Sequence, residues 1–259
     1  MSFLSKIIGD NHQLKGPDIS KAPTFTMDLS GTKLMMPVPP KTLMIPTVIQ
    51  QASLDILNPE LFERWDEDVR TMSVDIHGNG WEFKGKLGRD FGYIMLDVRL
   101  IKIEAEEPLF SFFDLQSFKV WLLRYADDFW GELNRSKIKE HNGASPKKYL
   151  WSYPTANEHI YEAQSQEKSV YFFTSRPKGG IQTNYWVPIT PHHVLEFAFI
   201  SSPVECDFYS PEHNFPDATA QFIKEFMQNV TITLSPDALA QKLAAEQNLL
   251  SSKENLEAS

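Results

Sequence analysis

Cysteine is almost absent: Cys206 is the only one among 259 residues, so no intramolecular disulfide can form. The start, "MSFLSKIIGD", has neither a secretory apolar region nor a small-residue cleavage site, and the expected location is therefore the reducing cytoplasm. Long apolar runs are missing as well. Nothing approaches the ~20 residues of a membrane span, so none is expected. In that setting the glycosylation sequons at Asn134 and Asn229 read as chance matches. Positive charge is also short. Lys and Arg number 25 against 34 Asp and Glu, giving a net charge of −9 and a pI near 5.3. Such a surface repels a phosphate backbone, and no nucleic-acid partner is expected. The densest basic cluster, Arg135, Lys137, Lys139, Lys147 and Lys148, follows a predicted helix, whose negative end suits cations. The acidic stretches "ELFERWDED" (60–68) and "EAEE" (104–107) read first as solvated faces, and together they would suit a basic protein partner.

Signatures of catalysis are lacking too. There is no Gly-x-Ser-x-Gly elbow, and no Gly-x-Gly-x-x-Gly follows a strand. "GKLGRDFG" has no Gly-Lys-Ser/Thr ending to grip phosphate and magnesium. The seven histidines are scattered. Only His192 and His193 adjoin, and neighbours on an extended strand point to opposite faces, so they rarely share a metal. Cys206 and His213 are seven residues apart and nothing local argues for contact. No metal and no cofactor are expected. Asp127 and Asp128 adjoin on a predicted helix, about a hundred degrees apart, and read as its polar face.

What is present is an ordinary globular composition, 42% hydrophobic and 23% charged. Residues 1–23 read as a polar arm broken by Gly16-Pro17 and Pro23. Residues 24–234 read as a single α+β domain, and 235–259 as a C-terminal helix and frayed tail. "TFTMDLSGTKLMMPVP" gives two short strands joined at Ser30-Gly31. "TMSVDIHGNGWEFKGK" predicts a hairpin turning at His77-Gly78-Asn79-Gly80. "YIMLDVRLIKIE" is a long strand with Ile94, Leu96, Val98 and Leu100 on one face and Asp97 and Arg99 on the other. Phe118, Trp121, Leu122, Tyr125, Phe129 and Leu133 recur at helical spacing over 118–133, with Asp114 or Ser117 as cap.

From Tyr149 onward strands dominate. "KYLWSYP", "HIYEAQSQ", "SVYFFTS", "IQTNYWVPI" and "VLEFAFIS" read as a series, the last two turning at Thr190-Pro191-His192-His193. Helices follow in "FPDATAQFIKEFMQN" and "SPDALAQKLAAEQNLL", the latter started by Ser235 and Pro236. Strand-rich and helix-rich stretches are segregated, which predicts a mainly antiparallel sheet covered by helices.

"SVYFFTS", "NYWVPITPHHVLEFAFISS" and "DATAQFIKEFMQNVTI" together resemble the Mog1/PsbP-like group of small α+β proteins, which includes the DcrB-like and DUF1795 proteins. The likeness lies in the order of elements over about the last hundred and ten residues before the tail. It implies a non-enzymatic accessory, adaptor or chaperone-like binding role, in some members tied to bacterial secretion.

The leading expectation is a cytosolic, bacterial, non-catalytic protein-binding module of accessory, adaptor or immunity type, with a protein partner and with homo-oligomerisation compatible. The binding surface expected comprises His192, His193, Trp151, Tyr153 and Tyr185; the three aromatics fit the core phase least. The alternative is an enzyme or small-ligand binder whose site gathers His192, His193, Cys206 and His213 around the end of the meander.

Overall fold

The computed structural model describes residues 14–43, 52–64, 71–85, 88–103, 110–141, 150–165, 168–175, 180–204 and 206–257. It is an α+β structure with two sheets. Strands β1 (Thr24–Leu29), β2 (Thr32–Pro37) and β3 (Ser53–Leu54) join the late β11 (Thr231–Thr233) in a small sheet ordered β11-β2-β1-β3. The large sheet is antiparallel and has seven strands: β4 (Glu63–Arg64), β5 (Thr71–Lys84), β6 (Asp90–Ile103), β7 (Tyr161–Ser165), β8 (Lys168–Ser175), β9 (Ile181–Thr190) and β10 (His193–Pro203). Their order is β4-β5-β6-β10-β9-β8-β7. The chain leaves β6 at the sheet centre and crosses one face as a helix. It re-enters at the far edge as β7, and β8, β9 and β10 meander back to β6.

Alternation decides what each face of this sheet does. Leu96, Val98 and Leu100 of β6 and Leu195, Phe197 and Phe199 of β10 point to one side and are fully buried. They pack against Met27, Leu29, Leu34 and Met36 of the small sheet, and against helix α3 (Phe215–Gln228) through Phe222, Ile223 and Phe226. The opposite side is covered by α1 (Leu115–Ala126), a π-helical turn (Asp127–Gly131) and α2 (Glu132–Glu140). Phe118, Trp121, Leu122, Ala126 and Trp130 meet Ile101, Tyr171, Phe173, Trp186 and Val194 there. Asp114 caps α1 by accepting from the Ser117 N–H at 2.7 Å. A last helix, α4 (Pro236–Glu257), starts at Ser235, whose hydroxyl accepts from the Ala238 N–H. No helix among the described residues is long and apolar enough to cross a membrane.

Several local expectations change. The stretch 71–84 is one continuous strand, not a hairpin. It pairs with β6 throughout, with register shifts between Asp75 and His77 and between Phe83 and Lys84. Gly78 and Gly80 are buried strand residues, and the Asn79 side chain caps its own backbone at Gly80 N–H instead of opening a turn. "KYLWSYP" forms no strand among its described residues, 150–154, beyond a single bridge at Ser152. Helix α4 runs on through Glu257, where a frayed tail was expected. Residues 14–23 lie against the body through the Lys15–Lys84 bridge and buried Ile19; residues 1–13 fall outside the described residues, as do acidic residues 65–68 and 104–107. The β1–β2 turn is as expected, with Ser30 and Gly31 at φ of 51° and 90°, the left-handed pair a two-residue hairpin needs.

Candidate functional site in a cleft beneath the π turn

The residues singled out in the sequence fall into separate places. His192 and His193 end the β9–β10 hairpin, where the Thr190 hydroxyl accepts from both their N–H groups at 3.1 and 3.0 Å. His193 is buried against Phe62, and its Nδ1 lies 2.7 Å from the same hydroxyl. Burial, with help from Lys102 and His192, pushes its pKa down to about 4. Cys206 and His213 sit at the other end of β10, both in contact with Phe91. That strand's eleven residues span roughly 30 Å at about 3.3 Å per step, so the four-residue site of the alternative reading is not assembled. The Cys206 thiol donates to the Phe91 carbonyl, and burial raises its pKa, the reverse of an activated thiolate. Tyr185 packs between Phe172 and Phe199 on the small-sheet side. No group of three His, Cys, Asp or Glu residues able to hold a metal occurs among the described residues.

Trp151 and Tyr153 do share a neighbourhood, along α2. The Asn134 amide grips the Trp151 backbone twice, donating to its carbonyl at 2.9 Å and accepting from its N–H at 2.7 Å. This Asn134 is the sequon residue, and its amide serves a structural contact. The Tyr153 hydroxyl donates to Asp127 Oδ1 at 2.7 Å. Arg135 reaches the same carboxylate at 3.1 Å and Glu132 at 2.9 Å. Together they pin the π turn. The bonds from Tyr153, offset in part by burial and then joined by Arg135, lower the Asp127 pKa.

Under that turn lies a cleft of about 370 Å³. Its floor is Thr71 and Ser73 of β5 with Arg99 and Ile101 of β6. Its roof is Tyr125, Asp128, Phe129, Glu132, Leu133 and Ser136, from α1, the π turn and α2. Tyr125, Asp128, Phe129 and Glu132 recur at three- and four-residue spacings, so one face of this helical run supplies the roof. The register places Asp75, Arg99 and Glu196 side by side on three adjacent strands, all facing the helix. Arg99 Nη2 lies 2.7 Å from Glu196 Oε2, and Glu196 is fully buried. Burial alone would lower the Arg99 pKa, but Glu196, with lesser effects from Tyr125, Asp97 and Asp75, holds it above its ordinary value. Burial raises Glu196, and Arg99 pulls it back. Tyr125 is pushed well up by burial and then by Glu196, so its phenol stays protonated.

More polarity lies behind the cleft on the same face. Asn184 Nδ2, Ser175 Oγ, Glu196 Oε1 and the indole N–H groups of Trp130 and Trp186 are buried without a hydrogen-bond partner among the described residues. Thr71, Ser73, Arg99, Tyr125, Asp128 and Glu196 were not among the residues expected to form a site. One signal was legible: Glu196 is the only charged residue in "VLEFAFIS", whose other positions are apolar or small.

With the geometry in place, the class is an α+β fold with a helix-roofed cleft on one sheet face. No family model, curated protein or solved structure matches the chain.

Proposed function

We propose that the protein is a non-enzymatic binding protein that takes a small molecule in the cleft beneath the π turn. The observation that carries this reading is the cleft itself, about 370 Å³, mainly apolar, with a few converging polar groups and a buried ion pair in its floor. Perturbed titrations gather at the same place, in Arg99, Glu196, Tyr125 and Asp128, as they do at binding sites. Native mass spectrometry of the full chain purified from its own cell tests it. A small-molecule adduct is expected, and Ser136→Trp, which fills the cleft from the roof, is expected to lose it. A chain that carries no adduct, or a variant that keeps it, defeats the reading.

A second reading, a protein-binding module, is supported by α4. Only Ala238 of its described side chains is buried, while Leu239 and Leu243 stay 47% and 49% exposed. An accessory or adaptor role, as the Mog1/PsbP-like resemblance implies, fits a helix that leaves Leu243 half exposed and Leu239 half exposed at the edge of a groove with Phe112 and Val187. Deleting residues 236–259 separates the roles. A partner helix leaves a folded chain that has lost its partner or its assembly state. A helix that serves this fold alone leaves a destabilised one.

A further inference from the structure

The charge arrangement in the cleft selects its ligand, and this inference rests on the small-molecule reading above. Two lining groups are already matched. Arg99 is held by Glu196 at 2.7 Å, with Asp75 beside it in register and Asp97 two residues away on the same strand face. Its guanidinium therefore faces more negative charge than it carries. Glu132 is engaged by Arg135 at 2.9 Å. Asp127 is not in the cleft, and Tyr153 and Arg135 hold it. Asp128 is different. It lines the cleft half-buried; Arg124 and Arg135 are near enough to act on it electrostatically, but it makes no hydrogen bond or ion pair among the described residues. Beside it are the rings of Tyr125 and Phe129 and the aliphatic walls of Ile101 and Leu133. An incoming anion would meet Asp128 and Glu132 at the roof and an over-compensated arginine on the floor. An incoming cation would meet a carboxylate that no direct ion pair holds and two aromatic side chains.

We infer that the cleft takes a ligand with a cationic amine head and an apolar or aromatic body, the head on the Asp128 carboxylate and the body against Phe129, Leu133 and Ile101. Burial and then the Asp127 charge raise the Asp128 pKa, and an arriving ammonium would act in the opposite direction, favouring the ionised carboxylate.

Three probes of one shape and different heads test this by calorimetry on the full chain at pH 7: 2-phenylethylamine, 2-phenylethanol and phenylacetate. The amine is expected to bind about tenfold or more tightly than the alcohol, the scale of one charge-assisted hydrogen bond. Asp128→Asn is expected to erase that ratio, with a thermal melt confirming that the variant is folded. Equal binding of amine and alcohol, or an amine preference that survives Asp128→Asn, overturns the cationic head and leaves the cleft standing. Tighter binding of phenylacetate does the same and moves the anchor to Arg99. Failure of all three probes to bind overturns this inference, and the native adduct and its loss in Ser136→Trp then decide the cleft reading.

Discussion

The two faces of the seven-stranded sheet use the same strands for opposite purposes. On the small-sheet side, β6 and β10 present Leu96, Val98, Leu100, Leu195, Phe197 and Phe199, a continuous dry layer. On the helix side the intervening residues include Arg99, Glu196 and Ala198, and next to them lie Asn184 and Trp186. A buried ion pair is a poor way to gain stability, because desolvating both charges offsets most of their attraction. One face is thus optimised for packing. The other keeps polar groups that packing alone does not call for, and it is there that the cleft opens.

That contrast can be broken from either side. Phe199→Ala, on the dry face, is expected to cost about 3–5 kcal/mol in urea unfolding, through lost transfer energy and the cavity left beside Phe226 and Tyr185. On the wet face, Arg99→Met alone leaves Glu196 buried without its partner and is expected to cost about 3 kcal/mol. The double variant Arg99→Met with Glu196→Leu is expected to recover most of that loss, and could end more stable than the parent. If the double variant is as unstable as the single one, the pair is a structural requirement and the two faces do not differ as described.

Histidine 193 sharpens the same contrast through pH. In the unfolded chain its imidazole takes a proton near its ordinary value of about 6.5, whereas in the fold it does so only near 4. Stability from this group is complete above about pH 6.5 and falls as pH drops through the window to about 4. The full loss is about 3 kcal/mol at 1.36 kcal/mol per pH unit. Urea unfolding of the parent and of His193→Gln at pH 7 and pH 5 should show a steeper decline in the parent; parallel declines would mean that His193 takes its proton in the fold as readily as outside it.

A smaller effect is expected at Gly131. A Cβ there would run into the Asp127 carboxylate and the Tyr153 hydroxyl. Gly131→Ala is expected to cost about 1 kcal/mol, the scale of one lost side-chain bond, and to weaken 2-phenylethanol binding by disturbing the roof. Smallest of all, Leu243→Ser on the outer side of α4 should change stability by less than about 0.5 kcal/mol while altering any association that uses this helix.

The elements that could be read from sequence were those whose periodicity is self-contained. "SVYFFTS", "IQTNYWVPI" and "VLEFAFIS" alternate cleanly and became β8, β9 and β10. Ser235-Pro236 announced α4, and the stripe from Phe118 announced α1. Two glycines misled at 78 and 80, because their turn chemistry is a local signal and the pairing with β6 that overrides it is not. The three-residue β11 is too short to alternate visibly and exists because β2 offers it an edge. The cleft was illegible for the same reason. Ser73, Arg99, Tyr125, Asp128 and Glu196 come from five elements over more than a hundred residues, and register, not spacing, assembles them. The adjacent pair Asp127 and Asp128 looked like one polar face. The π turn gives the first to Tyr153 and the second to the cleft.

The short strand β11 carries a consequence for how the chain is made. It pairs Thr231–Thr233 with β2, and the Ser235 N–H donates to the Thr32 hydroxyl across 203 residues of sequence. During synthesis β2 therefore emerges long before the strand that completes its sheet. At about 5–20 residues per second the wait is roughly ten to forty seconds. Through that interval the nascent β2 edge has its N–H and C=O groups open to other chains, and contacts so distant in sequence close late and slowly. The β1–β2 hairpin, made early among the described elements, thus belongs to a sheet that is among the last to be completed.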